Sequence, residues 1–595
     1  MDRGTPERLG ETRGGHPIGS VADLIVAYLE AIGVEYVFGV PGGAIEPIFD
    51  ALARSERRGG PRVVTARHES GAAFMADGYA RESGRLGVCI ATSGPGATNL
   101  ITGVACAHEN GVPLLAISGQ PQLPSFGRRA LQESGCTGIN TLGMFRHCTR
   151  YDTLVSHPGQ AAAKIHGSIA HAIQSRGATH LSLPVDIQRS VLPAGTAMPT
   201  AAIARQLMTP GLLDPETVQA LFVQLEAARR PVFLLGCGAG RAADAFLHYI
   251  ERRGAPFVTT PDAKGFVNPA HPLYRGVFGF AGHAEARDVL ANHPDLIIAV
   301  GVSMGEWTSA GWSDSLLNDR LVHIDFSREH VVRSSMARLH VIGDPLAVAR
   351  QLLELDRRSR HPDARLEDAP APRVTEPAPA LGPGVRPQVL MAELSARCPP
   401  SVQFIADAGN STAWAIHHLE LNDRRNRLVA PAGQPRDVRA RNPLASWLRV
   451  VMDFAPMGWA IGAAVGIAIA RRGLPVVCLT GDGSLLMNGQ EMTVAAQEGL
   501  PVVFVILNDS AYGMVKHGQR IAGAEPIGFR LPECDFAAMA RAFGIEGVRV
   551  RSEAELAALD LAAVFARRTP TVIDVRIDGE QEPPIRMRLQ ALGTA

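Results

Sequence analysis

Two apolar runs of nearly the same wording, Leu-Pro-Val-Val-Cys-Leu-Thr at 474–480 and Leu-Pro-Val-Val-Phe-Val-Ile-Leu at 500–507, enclose a stretch of helical length. Each run is short and continuously apolar, the pattern of a strand buried on both faces of a parallel sheet. Parallel neighbours need a crossover, usually a helix. Gly481-Asp482-Gly483 then reads as a tight turn at the carboxyl end of the first strand, where open α/β sheets bind ligands. Asn488 with Glu491 three residues on has the form of a capping box that starts the helix, and Gly499 is its stop. The second run delivers Asn508 and Asp509 to the same edge. Asp482 and Asp509 thereby converge as oxygen donors for one hard cation, and a magnesium ion there keeps positions for phosphate oxygens and water. An isolated Gly-Asp-Gly would be an ordinary turn; the flanking strand, helix and Asn-Asp ending point instead to a metal-diphosphate anchor.

The same alternation of short apolar runs and helical segments recurs along the chain. Strands are expected at 36–40, 62–65, 87–92 and 113–118, again at 232–235, 256–259, 296–300 and 321–324, and finally at 402–406, 476–480, 502–507 and 571–574. The fold class that follows is α/β, with three doubly wound parallel-sheet domains. Their expected bounds are 20–190, 215–356 and 387–580, with a flexible leader at 1–19, linkers at 191–214 and 357–386, the latter Pro-rich, and a tail at 581–595. Three such domains account for 595 residues. Equal numbers of basic and acidic residues, 58 of each, give no basic footprint for nucleic acid or an anionic membrane, which leaves a small molecule as the expected partner. The eight cysteines are scattered without a CxxC pair or a zinc-like cluster, which suits reduced thiols in a cytoplasmic protein. The uncharged run 454–470 is broken by glycines and is too short to span a bilayer, so it reads as a buried helix.

Taken together, the motifs resemble the thiamine-diphosphate (ThDP) enzymes of the acetolactate synthase and pyruvate oxidase type. The resemblance runs from Val37-Phe38-Gly39-Val40-Pro41-Gly42, through Arg67-His68-Glu69 and Ser93-Gly94-Pro95-Gly96-Ala97-Thr98-Asn99, to the Gly-Asp-Gly segment and Gly513-Met514-Val515. It covers the chain from about residue 20 to Glu582-Pro583-Pro584, with the large subunit of acetolactate synthase the nearest overall pattern. It implies that the first domain holds the cofactor's pyrimidine and the third its diphosphate. Glu69 matches the glutamate that shares a proton with the aminopyrimidine, a task suited to a carboxyl in an apolar crevice; on its own it would read as a helix-start carboxylate. Met457 matches the residue that props the cofactor into its bent form, and the Ala455 carbonyl matches the acceptor for its amino group. Gly409, Asn410, Gly483 and Ser484 match the diphosphate contacts, and Met514 a further cofactor contact. Asp482, Asp509 and the Ala511 carbonyl match the magnesium ligands, with Asp509 standing where many relatives have Asn. Gln132, in Leu131-Gln132-Glu133, matches a substrate-facing glutamine, with a polar loop residue as the other reading.

The implied activity is a ThDP- and Mg-dependent carboligation. A 2-oxo acid such as pyruvate is decarboxylated and its acyl-anion equivalent passes to a second carbonyl. The alternatives are a non-ligating decarboxylase, a flavin-coupled oxidase, or a catalytically silent subunit. FAD is a further cofactor candidate, through the likeness of Gly276 to Glu285 to a flavin-side segment. The resemblance also implies a homodimer or homotetramer with active sites between subunits, and in some members a regulatory subunit. Three positions depart from the pattern. Glu306-Trp307 replaces a segment carrying an acceptor-binding Arg, Gly518 replaces a Trp, and Val185 replaces a Lys. Trp cannot form the two-pronged fork with which Arg grips a carboxylate. An apparent insert near 423–446, rich in Arg, Pro and Asn, is expected to shape access to the acceptor pocket.

Overall fold

The computed structural model describes residues 19–136, 138–208, 213–359, 377–421 and 446–586. Most of the expected leader, the Pro-rich linker from 360 to 376, most of the insert near 423–446 and the end of the tail lie outside the described residues. Three sheets of six parallel strands are present, each flanked by helices. The chain divides into two compact units, one built from 1–210 with the short segments 465–470 and 490–494, the other from the remainder.

In the first unit the strands lie in the order Arg62–Thr65, Tyr36–Gly39, Gly87–Ala91, Leu114–Gln120, Ala178–Pro184 and Tyr151–Leu154. The central strand Gly87–Ala91 is buried along its whole length, as a strand covered on both faces must be. Two long helices, Glu69–Ser83 and Pro95–Glu109, follow the second and third strands in chain order. They approach closely because Gly103 has no side chain where it meets the Ala73 methyl. His68 caps the first of them, its Nδ1 accepting from the Ser70 amide at 3.2 Å.

In the second unit one sheet has the order Leu339–Ile342, Leu321–Asp325, Leu296–Val300, Pro231–Leu235, Phe257–Thr259 and Tyr274–Val277. The other has the order Leu448–Arg449, Gln403–Ala406, Val476–Gly481, Val502–Asn508, Thr571–Arg576 and Glu546–Val550. All twelve expected strands are found within two residues of their expected ends. Three local readings need correction. The strand at 476 runs through Gly481 and a helix, Asp482–Asn488, starts at once, so Gly-Asp-Gly is a strand-to-helix junction and not a free turn. Asn488 and Glu491 form no capping box: 489–491 is a 3-10 turn, and the Glu491 carboxylate bonds elsewhere, as described below. Residues 201–208, expected to be linker, form a helix. Trp459–Ala470 is a buried helix, and among the described residues no helix is long and apolar enough to cross a membrane. All eight cysteines are free thiols.

Candidate active site

The carboxyl ends of the third sheet open onto a cavity of about 750 Å³, wholly within the second unit. Ten of the expected site residues line it: Gly409, Asn410, Ala455, Met457, Asp482, Gly483, Ser484, Asp509, Ala511 and Met514. They come from four separate stretches of sequence. Strand 403–406 leads three residues on to Gly409, whose φ of +124° suits glycine alone, and helix 410–418 begins there. Gly483 meets the Tyr512 ring, since a Cβ would lie 2.6 Å from Cε1 and 3.4 Å from the Met457 methyl, so glycine keeps this face of the cavity open.

Asp482 is buried and Asp509 is half-buried. The Gly483 and Ala511 amides donate to the two oxygens of Asp482 at 2.8 and 3.2 Å. Burial pushes the Asp482 carboxyl up to about 6, and burial together with the charge of Asp482 pushes Asp509 up to about 7. Among the described residues neither has a basic side chain at ion-pair distance. Lys516, whose charge acts on Asp509, is engaged by Glu580 at 2.6 Å. A cation held between them would relieve the repulsion of the two carboxylates. The donors are hard oxygens, and beside them the Asn410 side-chain oxygen is buried with no hydrogen-bond partner. A Cβ on Gly513 would lie 2.7 Å from Asn410 Nδ2 and 2.9 Å from Asp509 Oδ2, which places Asn410 and Asp509 against one short backbone segment. The residues present therefore fit a metal-bound diphosphate.

Asn508 does not join this group. Its amide donates to Asp574 at 2.8 Å and its oxygen accepts from Arg576 at 2.7 Å, so it ties neighbouring strands together.

Asp407 was not singled out by sequence, and it organises the site. It is fully buried. Its Oδ2 accepts from the Gly458 amide (2.9 Å) and the Thr480 hydroxyl (3.0 Å), and its Oδ1 from the amides of Ala460 and Ala408 (3.1 Å each). One carboxylate thus pins the Met457-Gly458 turn to two strand ends. Burial raises its proton affinity above the ordinary aspartate range. The signal available in sequence was a lone Asp directly after an apolar strand, two residues before Gly409.

Glu69 and Gln132 belong to the first unit. Glu69 opens helix 69–83, 9% exposed, and accepts from Asn99 Nδ2 at 3.0 Å. A Cβ on Gly96 would sit 3.3 Å from its other oxygen. Gln132 is exposed, with φ +57°, on a loop held by Gln120, Ser134 and Thr141; the Gly94 amide donates to Ser134 at 3.3 Å. Behind Glu69 lies a second carboxylate that sequence reading assigned wrongly. Glu491 is fully buried and accepts from the amides of His68 (2.9 Å) and Arg67 (3.2 Å), the turn that leads into Glu69. Burial pushes it up to about 7. The first unit also contains a Ser118–His180–Asp152 chain with both links at 2.7 Å. Ser118 and His180 have no exposure and His180 stacks on Phe145, so this chain joins strands and presents no nucleophile to solvent.

The FAD expectation finds no support. In the segment from Gly276 to Glu285, His283 Nδ1 accepts from the Val277 amide and Phe280 stacks on Trp307 with centroids 4.1 Å apart. The Gly236–Gly240 loop packs directly on Gly301, whose carbonyl accepts from the Gly238 amide at 2.9 Å.

Three models of one family match the chain. They are described as thiamine pyrophosphate enzyme, N-terminal TPP binding domain (residues 19–139), central domain (218–352) and C-terminal TPP binding domain (407–575). The chain belongs to the thiamine pyrophosphate enzyme family and is a ThDP-dependent enzyme. It is 33% identical to the Mycobacterium tuberculosis "Putative acetolactate synthase large subunit IlvB2", over 95% of this chain and 99% of the relative. It is 31% identical to an acetolactate synthase large subunit of Parasynechococcus marenigrum, over 96% and 91%. The solved structure of a "putative thiamin diphosphate-dependent enzyme" from Mycobacterium smegmatis shares the fold, with a TM-score of 0.75 at 22% identity over 94% of this chain and 99% of that one.

Proposed function

We propose that the protein is a ThDP- and Mg²⁺-dependent carboligase that decarboxylates a 2-oxo acid and joins the acyl fragment to a second carbonyl compound. The observation that carries this reading is the convergence of ten expected residues from four stretches of sequence on one cavity. Bound ThDP supplies a carbon nucleophile and an electron sink for loss of CO₂. Asp482, Asp509 and the Ala511 carbonyl hold the metal. Gly409, Asn410, Gly483 and Ser484 receive the diphosphate through backbone and short polar groups, so no basic surface is needed. Met457 and the Ala455 carbonyl orient the rings, Met514 packs beside them, and Asp407 holds the Met457 turn in register. Glu69 holds the proton exchanged with the pyrimidine, positioned by Asn99 on one side and the Glu491-capped turn on the other. Gln132 faces substrate.

On this reading the first unit supplies the pyrimidine site and the third sheet the diphosphate site, in a homodimer or homotetramer. Relatives named as large subunits support a regulatory partner. The test is to incubate purified protein with ThDP, Mg²⁺ and a panel of 2-oxo acids, and to identify products by mass spectrometry. Condensed hydroxyketone or hydroxyacid products support ligation. Free aldehyde as the sole organic product, or peroxide, favours the non-ligating alternatives, and no turnover of any acid favours a silent subunit.

A further inference from the structure

Beside the cofactor residues, the cavity is lined by Glu306, Trp307, Met452, Asp453 and Val515. Among the described residues that line the cavity there is no lysine, arginine or histidine. Trp307 is fixed twice over: its ring stacks on the buried Phe280 at 4.1 Å with an interplanar angle of 11°, and its carbonyl accepts from the Phe280 amide at 2.8 Å. Gly279, with φ +119°, lies directly against that carbonyl, so the turn cannot slide to bring in another side chain. Glu306 is next in the chain, and Gly305 packs on the carboxylate of Asp453, which also accepts from Ser303 at 3.4 Å. Among the described residues this part of the lining is therefore an indole beside the acidic side chains of Glu306 and Asp453.

A donor 2-oxo acid loses its carboxylate in the reaction, whereas a 2-oxo acid acceptor keeps its own and has to be held with that charge in place. A carboxylate taken out of water needs a cation or several donors. An indole offers one N–H, and a neighbouring glutamate repels. An uncharged aldehyde needs neither, and an aromatic one gains offset stacking on Trp307. Resting on the carboligase reading above, we propose that the acceptor is an uncharged aldehyde of the aromatic or branched aliphatic class, and that Trp307 and Glu306 select it over a second 2-oxo acid. The overall step balances as 2-oxo acid anion plus aldehyde plus one proton giving 2-hydroxyketone plus CO₂. The bond between the carboxylate and carbonyl carbons breaks, its electron pair forms the bond to the aldehyde carbon, and the former aldehyde oxygen takes the proton.

The experiment is a competition in the full-length enzyme with ThDP, Mg²⁺ and pyruvate, offered benzaldehyde and 2-oxobutyrate at equal concentration. CO₂ release and both products are quantified. At least tenfold more benzaldehyde-derived hydroxyketone than hydroxyacid supports the proposal. CO₂ release with the hydroxyacid equal or dominant overturns it. CO₂ release with no condensed product, or absence of CO₂ release from every 2-oxo acid, overturns instead the carboligase reading on which it rests. Trp307→Arg is expected to shift the product ratio at least tenfold toward the hydroxyacid, and Glu306→Gln to shift it the same way by less; an unchanged ratio in both also overturns the selection assigned to these residues. The wild-type competition decides the acceptor class even if Trp307→Arg fails to fold.

Discussion

Asp407 offers the sharpest structural test, because one buried side chain accepts four hydrogen bonds from three segments. In Asp407→Asn the best placement of the amide puts its nitrogen at the Oδ2 position. There the Thr480 hydroxyl can rotate to accept, but the Gly458 amide faces a second donor. The reverse placement strands two amides, those of Ala460 and Ala408. One buried N–H left unpaired costs about 1–3 kcal/mol. Asp407→Ala removes every acceptor and strands three amides, and even with relaxation and water entry it is expected to cost about 3 kcal/mol or more. Since about 1.4 kcal/mol is a factor of ten, native-state hydrogen exchange over 456–460 should quicken roughly 5- to 150-fold in the Asn variant. The Ala variant should quicken it further and lower the urea midpoint. Exchange over this segment unchanged in Asp407→Ala would refute the assignment of Asp407 as the anchor of the Met457 turn.

Glu491→Gln should change the pH dependence of stability. Its folded proton affinity is raised to about 7 from an ordinary 4.5, so the stability it contributes is fully present below about pH 4.5 and is lost as pH rises through 7. The difference in unfolding free energy between wild type and the variant should therefore fall by up to about 1.4 kcal/mol per pH unit across that window; a flat difference would contradict it. Gly458→Ala should destabilise by at least about 1–3 kcal/mol in thermal or urea unfolding, because φ is +86° and the new Cβ would strike the Asn488 amide. The rise in Tm on adding Mg²⁺ with ThDP should be largest near pH 8 and shrink toward pH 6, since Asp509 and Asp482, raised to about 7 and 6, must shed protons to bind the metal. Asp482→Ala should abolish that shift at every pH.

Strands that were continuous apolar runs, such as Val502–Asn508, were legible in sequence because they are buried on both faces. The six missed strands have a physical explanation. Tyr151–Leu154, Tyr274–Val277, Leu339–Ile342, Leu448–Arg449 and Glu546–Val550 are all sheet edges, which are short or half-wet and mix polar with apolar residues. The sixth, Ala178–Pro184, is interior, but its buried polar residues Thr179, His180 and Ser182 break up the apolar run, the first two with hydrogen-bonded side chains. Candidate site residues were legible where a ligand demands a short motif, as in Gly481-Asp482-Gly483. Asp407 and Glu491 were not, because each serves backbone amides far away in sequence, and no local pattern marks such a partner.

The most direct test of the central claim is CO₂ release from 2-oxo acids by the metal-depleted protein, before and after ThDP and Mg²⁺ are restored, in wild type and Glu69→Gln. Release is expected only when both are present, with a loss of at least about a hundredfold in Glu69→Gln, the lower end of what a positioned acid–base group supplies. Release that is independent of ThDP, or undiminished in Glu69→Gln, would contradict the assignment of this chain's cavity and glutamate to cofactor-dependent decarboxylation.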